Sequence, residues 1–320
     1  MARSDILVSM VKAAIGGDIV SFRKAVEVLI SEERAKKHRV LADRLNSLLS
    51  DSPGLQQRQP LIAQNGAKDL IFEVIPKRRM DELVLDDEIV SSCREFVEEH
   101  QRADLLKSYG LVPRNKILFA GPPGNGKTSL AEALAYELMY PMLVIRYDSL
   151  IGSYLGETAA RLQKVFDFAR TMRCVLFFDE FETLGKERGD TRETGEIKRV
   201  VSSLLLQIDR MPSHTVVITA SNHPELLDRA VWRRFQLRLE LKGPSKQQIV
   251  SFLTKFEEKT TFAFGRNLTA LADKLRDGNY AEIEDFCTDV LRQAILQRKQ
   301  DNPKAVIASR LKKWERRYSA

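Results

Sequence analysis

Eight consecutive residues, Gly121-Pro122-Pro123-Gly124-Asn125-Gly126-Lys127-Thr128, fit the pattern G-x-x-x-x-G-K-[ST]. Glycines at this spacing let backbone N–H groups converge on phosphate oxygens, and the lysine that follows reaches the β- and γ-phosphates. The hydroxyl of Thr128 is placed to ligate Mg²⁺, and Ser129 continues the same turn. A second constellation is Val175-Leu-Phe-Phe-Asp179-Glu180, an apolar run ending in two acids. Asp179 suits Mg²⁺ binding, and Glu180 suits the orientation and polarisation of an attacking water. Asn222 closes another apolar run, where a neutral amide could position that water beside a γ-phosphate. The chemistry implied is hydrolysis of ATP with Mg²⁺ as cofactor. Alone, each feature has a plainer meaning: a glycine-rich turn, two solvated acids, a turn asparagine. Together and in this order they point to phosphoryl transfer.

The elements that must hold these residues are legible as alternating periods. Lys116 to Ala120, Met142 to Ile145, Cys174 to Phe178, Val216 to Ala220 and Phe235 to Leu241 read as short strands. Leu130, Leu134 and Leu138 mark a helix after the glycine-rich turn; Leu162, Val165, Phe166 and Ala169 mark another; Ile197, Val200, Val201, Leu204, Leu205 and Ile208 a third. This alternation predicts a P-loop NTPase fold, a doubly wound parallel sheet over residues 81–242. After Gly243-Pro244 the strands stop, and Ile249, Phe252, Leu253, Phe256 and then Ile283, Phe286, Val290, Leu291, Ile295 predict a small all-helical domain over 243–320, ending in a basic tail. Residues 1–60 carry helical periodicity and residues 61–80 read as a linker, in a stretch rich in Pro, Gly, Gln and Asn.

Composition excludes some classes. No apolar run approaches the roughly 18–20 residues of a membrane span, and the N-terminus lacks the pattern of a secretory signal. Three cysteines without metal-type spacing suit a reducing cytoplasm. The net charge of +7 is distributed as +3, −4, +3 and +5 over residues 1–60, 61–112, 113–242 and 243–320. A tight basic stripe, the usual footprint of nucleic-acid binding, is lacking.

These motifs together resemble the AAA ATPases, in the branch that includes FtsH, spastin, katanin and the proteasomal ATPases. The resemblance covers about residues 80–297 and rests on the phosphate loop, Asp179-Glu180, Asn222 and Leu227-Asp228-Arg-Ala-Val-Trp-Arg233-Arg234-Phe235. It implies a large α/β domain with a helical lid, a homo-oligomer (a hexameric ring) and nucleotide between subunits. It assigns Asn222 as the sensor of the γ-phosphate and Arg233 and Arg234 as arginine fingers on a neighbour's ATP. It assigns Tyr154, with Leu155, as a pore loop that grips an extended protein substrate, and a polar loop at 186–196 as a second pore-facing segment. It places Gly278 and Ala281, in Gly278-Asn-Tyr-Ala281-Glu-Ile, at the nucleotide through lid packing, and adenine against Leu83 to Leu85.

The implied activity is ATP-driven protein remodelling. No peptidase signature is present, so proteolysis would need another chain; bacterial members with a short helical N-terminus resemble partners of a subtilisin-like serine peptidase. A nucleic-acid motor or loader helper, drawing on the basic C-terminus, and a nucleotide-gated scaffold stay open as alternatives.

Overall fold

The computed structural model describes residues 26, 28–30, 70–146, 155–182, 194–265, 267–298 and 303–318. The chain divides into two compact units, Met1–Gln64 and Asn65–Ala320. In the first unit the described residues, 26 and 28–30, are helical; the rest of the helical region expected over 1–60 lies outside the described residues.

The second unit is built on a six-stranded sheet: β1 Ile71–Val74, β2 Lys116–Ala120, β3 Met142–Ile145, β4 Val175–Phe178, β5 Val216–Ser221 and β6 Leu237–Glu240, in the order β1-β3-β4-β5-β2-β6. All pairs are parallel except β1 with β3. β4 and β5 are buried at every residue, which is why Val-Leu-Phe-Phe and Val-Val-Ile-Thr-Ala-Ser read as near-continuous apolar runs. β1 was not expected. It falls inside 61–80, so that linker is in part an edge strand of the sheet. Its alternating, half-exposed Ile-Phe-Glu-Val is too short and too mixed to stand out.

The helices are α1 Asp87–Gln101, α2 Ala103–Ser108, α3 Lys127–Glu137, α4 Leu155–Ala169, α5 Thr194–Asp209 and the single turn α6 Arg229–Trp232, then α7 Lys246–Thr260, α8 Leu268–Leu275, α9 Tyr280–Leu296 and α10 Lys304–Tyr318. Ile89, Cys93, Phe96 and Val97 of α1 and Leu130, Ala131 and Leu134 of α3 pack on the sheet in one core. Helices α7 to α10 close a second core around Ile249, Leu253, Leu271, Ile283, Val290, Ile307 and Trp314. Capping boxes start two of them: Ser245 exchanges hydrogen bonds with Gln248, and Asn279 with Glu282.

Two expectations for the lid change. The basic C-terminal stretch is not a tail. Its helix α10 buries Val306, Ile307, Leu311 and Trp314, an apolar stripe carried between its lysines and arginines. Ile295, expected on the core face of α9, is 51% exposed; Ala294 fills that face instead.

Candidate functional site

Parallel register decides where the chemistry collects. Ala120 pairs with Ser221 and Phe178 with Thr219, so β2, β5 and β4 end at one edge of the sheet. The next residues are Gly121, Asn222 and Asp179. Ligands of open α/β sheets bind at this edge.

The turn after β2 needs its glycines. Gly121 has φ 133°, and a Cβ there would lie 2.2 Å from the carbonyl oxygen of Leu241. Gly124 has φ 76° and approaches the side chain of Asn279 so closely that a Cβ would come within 2.5 Å of Oδ1. Lys127 opens α3 and is only 6% exposed. Its ammonium donates to the carbonyls of Gly121 (2.7 Å) and Pro122 (2.9 Å), folding the lysine along the loop. Burial pushes the Lys127 pKa below the usual lysine value, and the charges of Asp179 and Glu182 partly offset this. Asn125 is buried; its amide donates to Pro122 O at 3.4 Å, and its Oδ1 has no partner among the described residues.

Thr128 Oγ1 donates to Asp179 Oδ2 at 3.0 Å. The hydroxyl and the carboxylate thus stand side by side, two oxygen donors of the kind Mg²⁺ takes. Among the described residues no cluster of three acidic or imidazole ligands exists. The pair therefore fits an ion that brings most of its shell from phosphates and water. Glu180 is exposed and has φ 45°, the left-handed region, with its own N–H donating to Asp179 Oδ1 at 3.0 Å.

Sequence reasoning missed Glu182. It is 4% exposed, and its Oε1 accepts the backbone N–H of Asn222 at 3.1 Å, joining the end of β4 to the end of β5. The Phe181 N–H donates to Ala220 O at 2.8 Å beside it. The repeat of a carboxylate two residues after Glu180 was the available signal.

Gly124, Asn125, Gly126, Lys127, Thr128, Ser129, Asp179, Glu180 and Asn222 border one cleft of about 890 Å³. That is within the range of small-molecule and cofactor sites. Leu83, Val84 and Leu85 form one wall of it, while Phe252, Phe256, Tyr280 and Ala281 come from the lid. The lid is tied to both sides. The N–H of Ala281 donates to Gly124 O at 3.0 Å. Lys255 of α7 donates to the carbonyls of Asp81 and of Leu83, the latter at 2.9 Å. Gln248 donates to Asp86 Oδ1 at 2.9 Å. Gly278 is not part of the lining. It meets Trp314, where a Cβ would fall 2.5 Å from the ring.

Comparison with known proteins now decides the family. Residues 117–242 match the ATPase family associated with various cellular activities (AAA). An uncharacterized AAA family ATPase, y4kL, of Sinorhizobium fredii is 39% identical over 308 residues, 94% of this chain and 92% of that protein. The chain belongs to the AAA family. It is an ATP-hydrolysing enzyme. A 26S proteasome regulatory subunit 8 homolog of Encephalitozoon cuniculi is 26% identical over 91% of this chain and 71% of its own length. The peroxisomal ATPase pex6 of Schizosaccharomyces pombe is 35% identical over 57% of this chain and 20% of its own length.

Arg233 and Arg234 of this AAA chain lie apart from the cleft. Arg233 caps α6 and is exposed; Arg234 is half-buried, its Nε donating to Asp209 Oδ2 at 2.9 Å. Neither borders the cleft. Behind them Phe235 packs edge-on against Phe181, and Phe181 against Phe178, linking the arginine pair to the end of β4 through aromatic rings. Tyr154 and residues 186–193 of the polar loop expected over 186–196 lie outside the described residues; 194–196 begin α5. Leu155 begins α4. Among the described residues no helix is long and apolar enough to cross a membrane.

Proposed function

We propose that this AAA ATPase is a protein remodeller that works as a homo-oligomeric ring, a hexamer, and draws a polypeptide through its centre. In this reading the loop from Gly121 to Ser129 binds the phosphates, Thr128 and Asp179 hold Mg²⁺, and Ala281 with Leu83 to Leu85 encloses the base. Bound with the nucleotide, Mg²⁺ neutralises charge on the phosphate oxygens. Glu180 orients and polarises the attacking water, and Asn222, held by Glu182, reads the γ-phosphate. Arg233 and Arg234 act on the ATP of the adjacent subunit.

The observation that carries the reading is a division of parts. Phosphate loop, acids and Asn222 share one cleft, whereas exposed Arg233 and half-buried Arg234 stand outside it. A guanidinium that opposes developing phosphate charge accelerates related hydrolyses by roughly 10³–10⁵-fold, and a pair outside its own cleft is placed to serve the cleft of a second copy. Substrate handling is inferred from relatives named as a proteasome regulatory subunit homolog and a peroxisomal ATPase, and from the position of Tyr154 between β3 and α4. The ring would act in the cytoplasm, with any peptidase, such as a subtilisin-like one, on a separate chain.

The test is affinity capture with Glu180→Gln in ATP and Mg²⁺. A closed ring that retains a protein is the expected result. A monomer with bound ATP and no retained protein overturns the proposal.

A further inference from the structure

Arg78 lies 49 residues before Lys127, outside every motif of the phosphate site, yet it borders the same cleft. It is half-buried, and its Nη1 donates to Ser129 Oγ at 2.6 Å. The backbone around it is fixed to the same helix: the N–H groups of Lys77 and Arg78 both donate to Glu132 Oε1, at 3.0 and 3.3 Å. Two separate anchors, one side-chain and one main-chain, thus set a guanidinium beside the first turn of α3.

That placement suits an anion. The start of α3 is the positive end of a helix, with N–H groups aimed outward. Lys127 adds a cation there. Among the described residues no carboxylate forms an ion pair with the Arg78 guanidinium: Glu132 accepts from the main-chain N–H groups, and Asp81 and Glu82 meet Arg79, through its side chain at 3.0 Å and its N–H at 3.1 Å. The guanidinium and the helix end, with Lys127 bordering the same cleft, suit a ligand that carries several negative charges.

We infer that Arg78 is a nucleotide-binding residue, donating to the α-phosphate; the inference rests on the cleft being the ATP site. Position selects that phosphate. Arg78 is close in sequence to the Leu83 to Leu85 wall and meets α3 at Ser129, two residues beyond Lys127. It therefore faces the end of the phosphate chain nearest the base. Because ATP and ADP share the α-phosphate, Arg78 contributes equally to both.

The experiment is calorimetric titration with ADP, and with ATP in the Glu180→Gln background, of the full chain. Arg78→Ala and Arg78→Gln should weaken both nucleotides by a similar factor of about tenfold or more. Ser129→Ala, which leaves the arginine but removes its tether, should give a smaller loss for both. If an Arg78 variant melts early, Arg78→Lys and Ser129→Ala carry the test, with the lysine partly retaining affinity through its charge. Unchanged affinity in the folded variants overturns the inference, and so does a loss confined to ATP. Lys127→Ala separates the two levels: if it too binds ADP normally, the cleft is not the nucleotide site and the reading beneath the inference fails instead.

Discussion

Glu180 combines an exposed carboxylate with a left-handed backbone, φ 45°. Such a conformation in a non-glycine residue costs on the order of 1–3 kcal/mol and persists where the surroundings over-determine it. Here the Asp179 carboxylate accepts the Glu180 N–H while the next residue, Phe181, is pinned to β5. Two outcomes follow. Glu180→Gln should lower kcat by about 100-fold or more while ATP still binds, measured by steady-state phosphate release and nucleotide titration. Glu180→Asn, better suited to this backbone, should raise stability by about 1 kcal/mol in urea melts while also losing turnover. Glu182 acts one step back. Glu182→Ala leaves the half-buried Asn222 N–H without its partner, which costs about 1 kcal/mol. Turnover should fall with it, since Asn222 loses its anchor; wild-type turnover in Glu182→Ala would separate Asn222 from this carboxylate.

At the scale of elements, the lid is coupled to the wall formed by Leu83 to Leu85 by Lys255 and to the glycine-rich loop by Ala281. Lys255→Ala should release the segment from Asp81 to Leu83 and raise KM for ATP about fivefold, roughly the value of one charge-assisted hydrogen bond at a half-exposed site. The lid's interior has its own constraint. Gly278→Ala places a methyl group 2.5 Å from the Trp314 ring, an overpacking that should cost about 1–3 kcal/mol. Trp314→Phe in the same chain should recover much of that loss, which a double-mutant cycle by thermal melting would measure. Gly278 thus packs on α10 and does not line the cleft. The helix read as a basic tail is what the lid packs on.

For the whole molecule, the decisive question is whether one subunit completes another's site. Arg233→Ala and Glu180→Gln should each be inactive alone. Mixed, they should regain ATPase activity, because an intact Glu180 of one variant then meets an intact Arg233 of the other. No recovery on mixing would place the arginine within its own subunit or remove it from catalysis. Tyr154→Ala should retain ATP hydrolysis and lose unfolding of a tagged protein. Both outcomes test the ring, and neither depends on the identity of the natural substrate.

Much of the site was readable along the chain because phosphate binding by backbone N–H groups demands consecutive residues. Gly121 to Thr128 can do their work only as neighbours, so their spacing is the mechanism. Buried parallel strands are likewise near-continuous apolar runs, which made β2 to β5 and the acids at the end of β4 visible, while β6 showed as alternation. Edge strand β1, half exposed and four residues long, had no such signature. What the tertiary structure alone decided are contacts between distant segments: Glu182 with Asn222, Lys255 with Asp81 and Leu83, Arg78 with Ser129. Each pairs a charged side chain with a group 40 to 174 residues away. No period or motif encodes such a partner. The parallel register of the sheet and the closure of the lid bring them together.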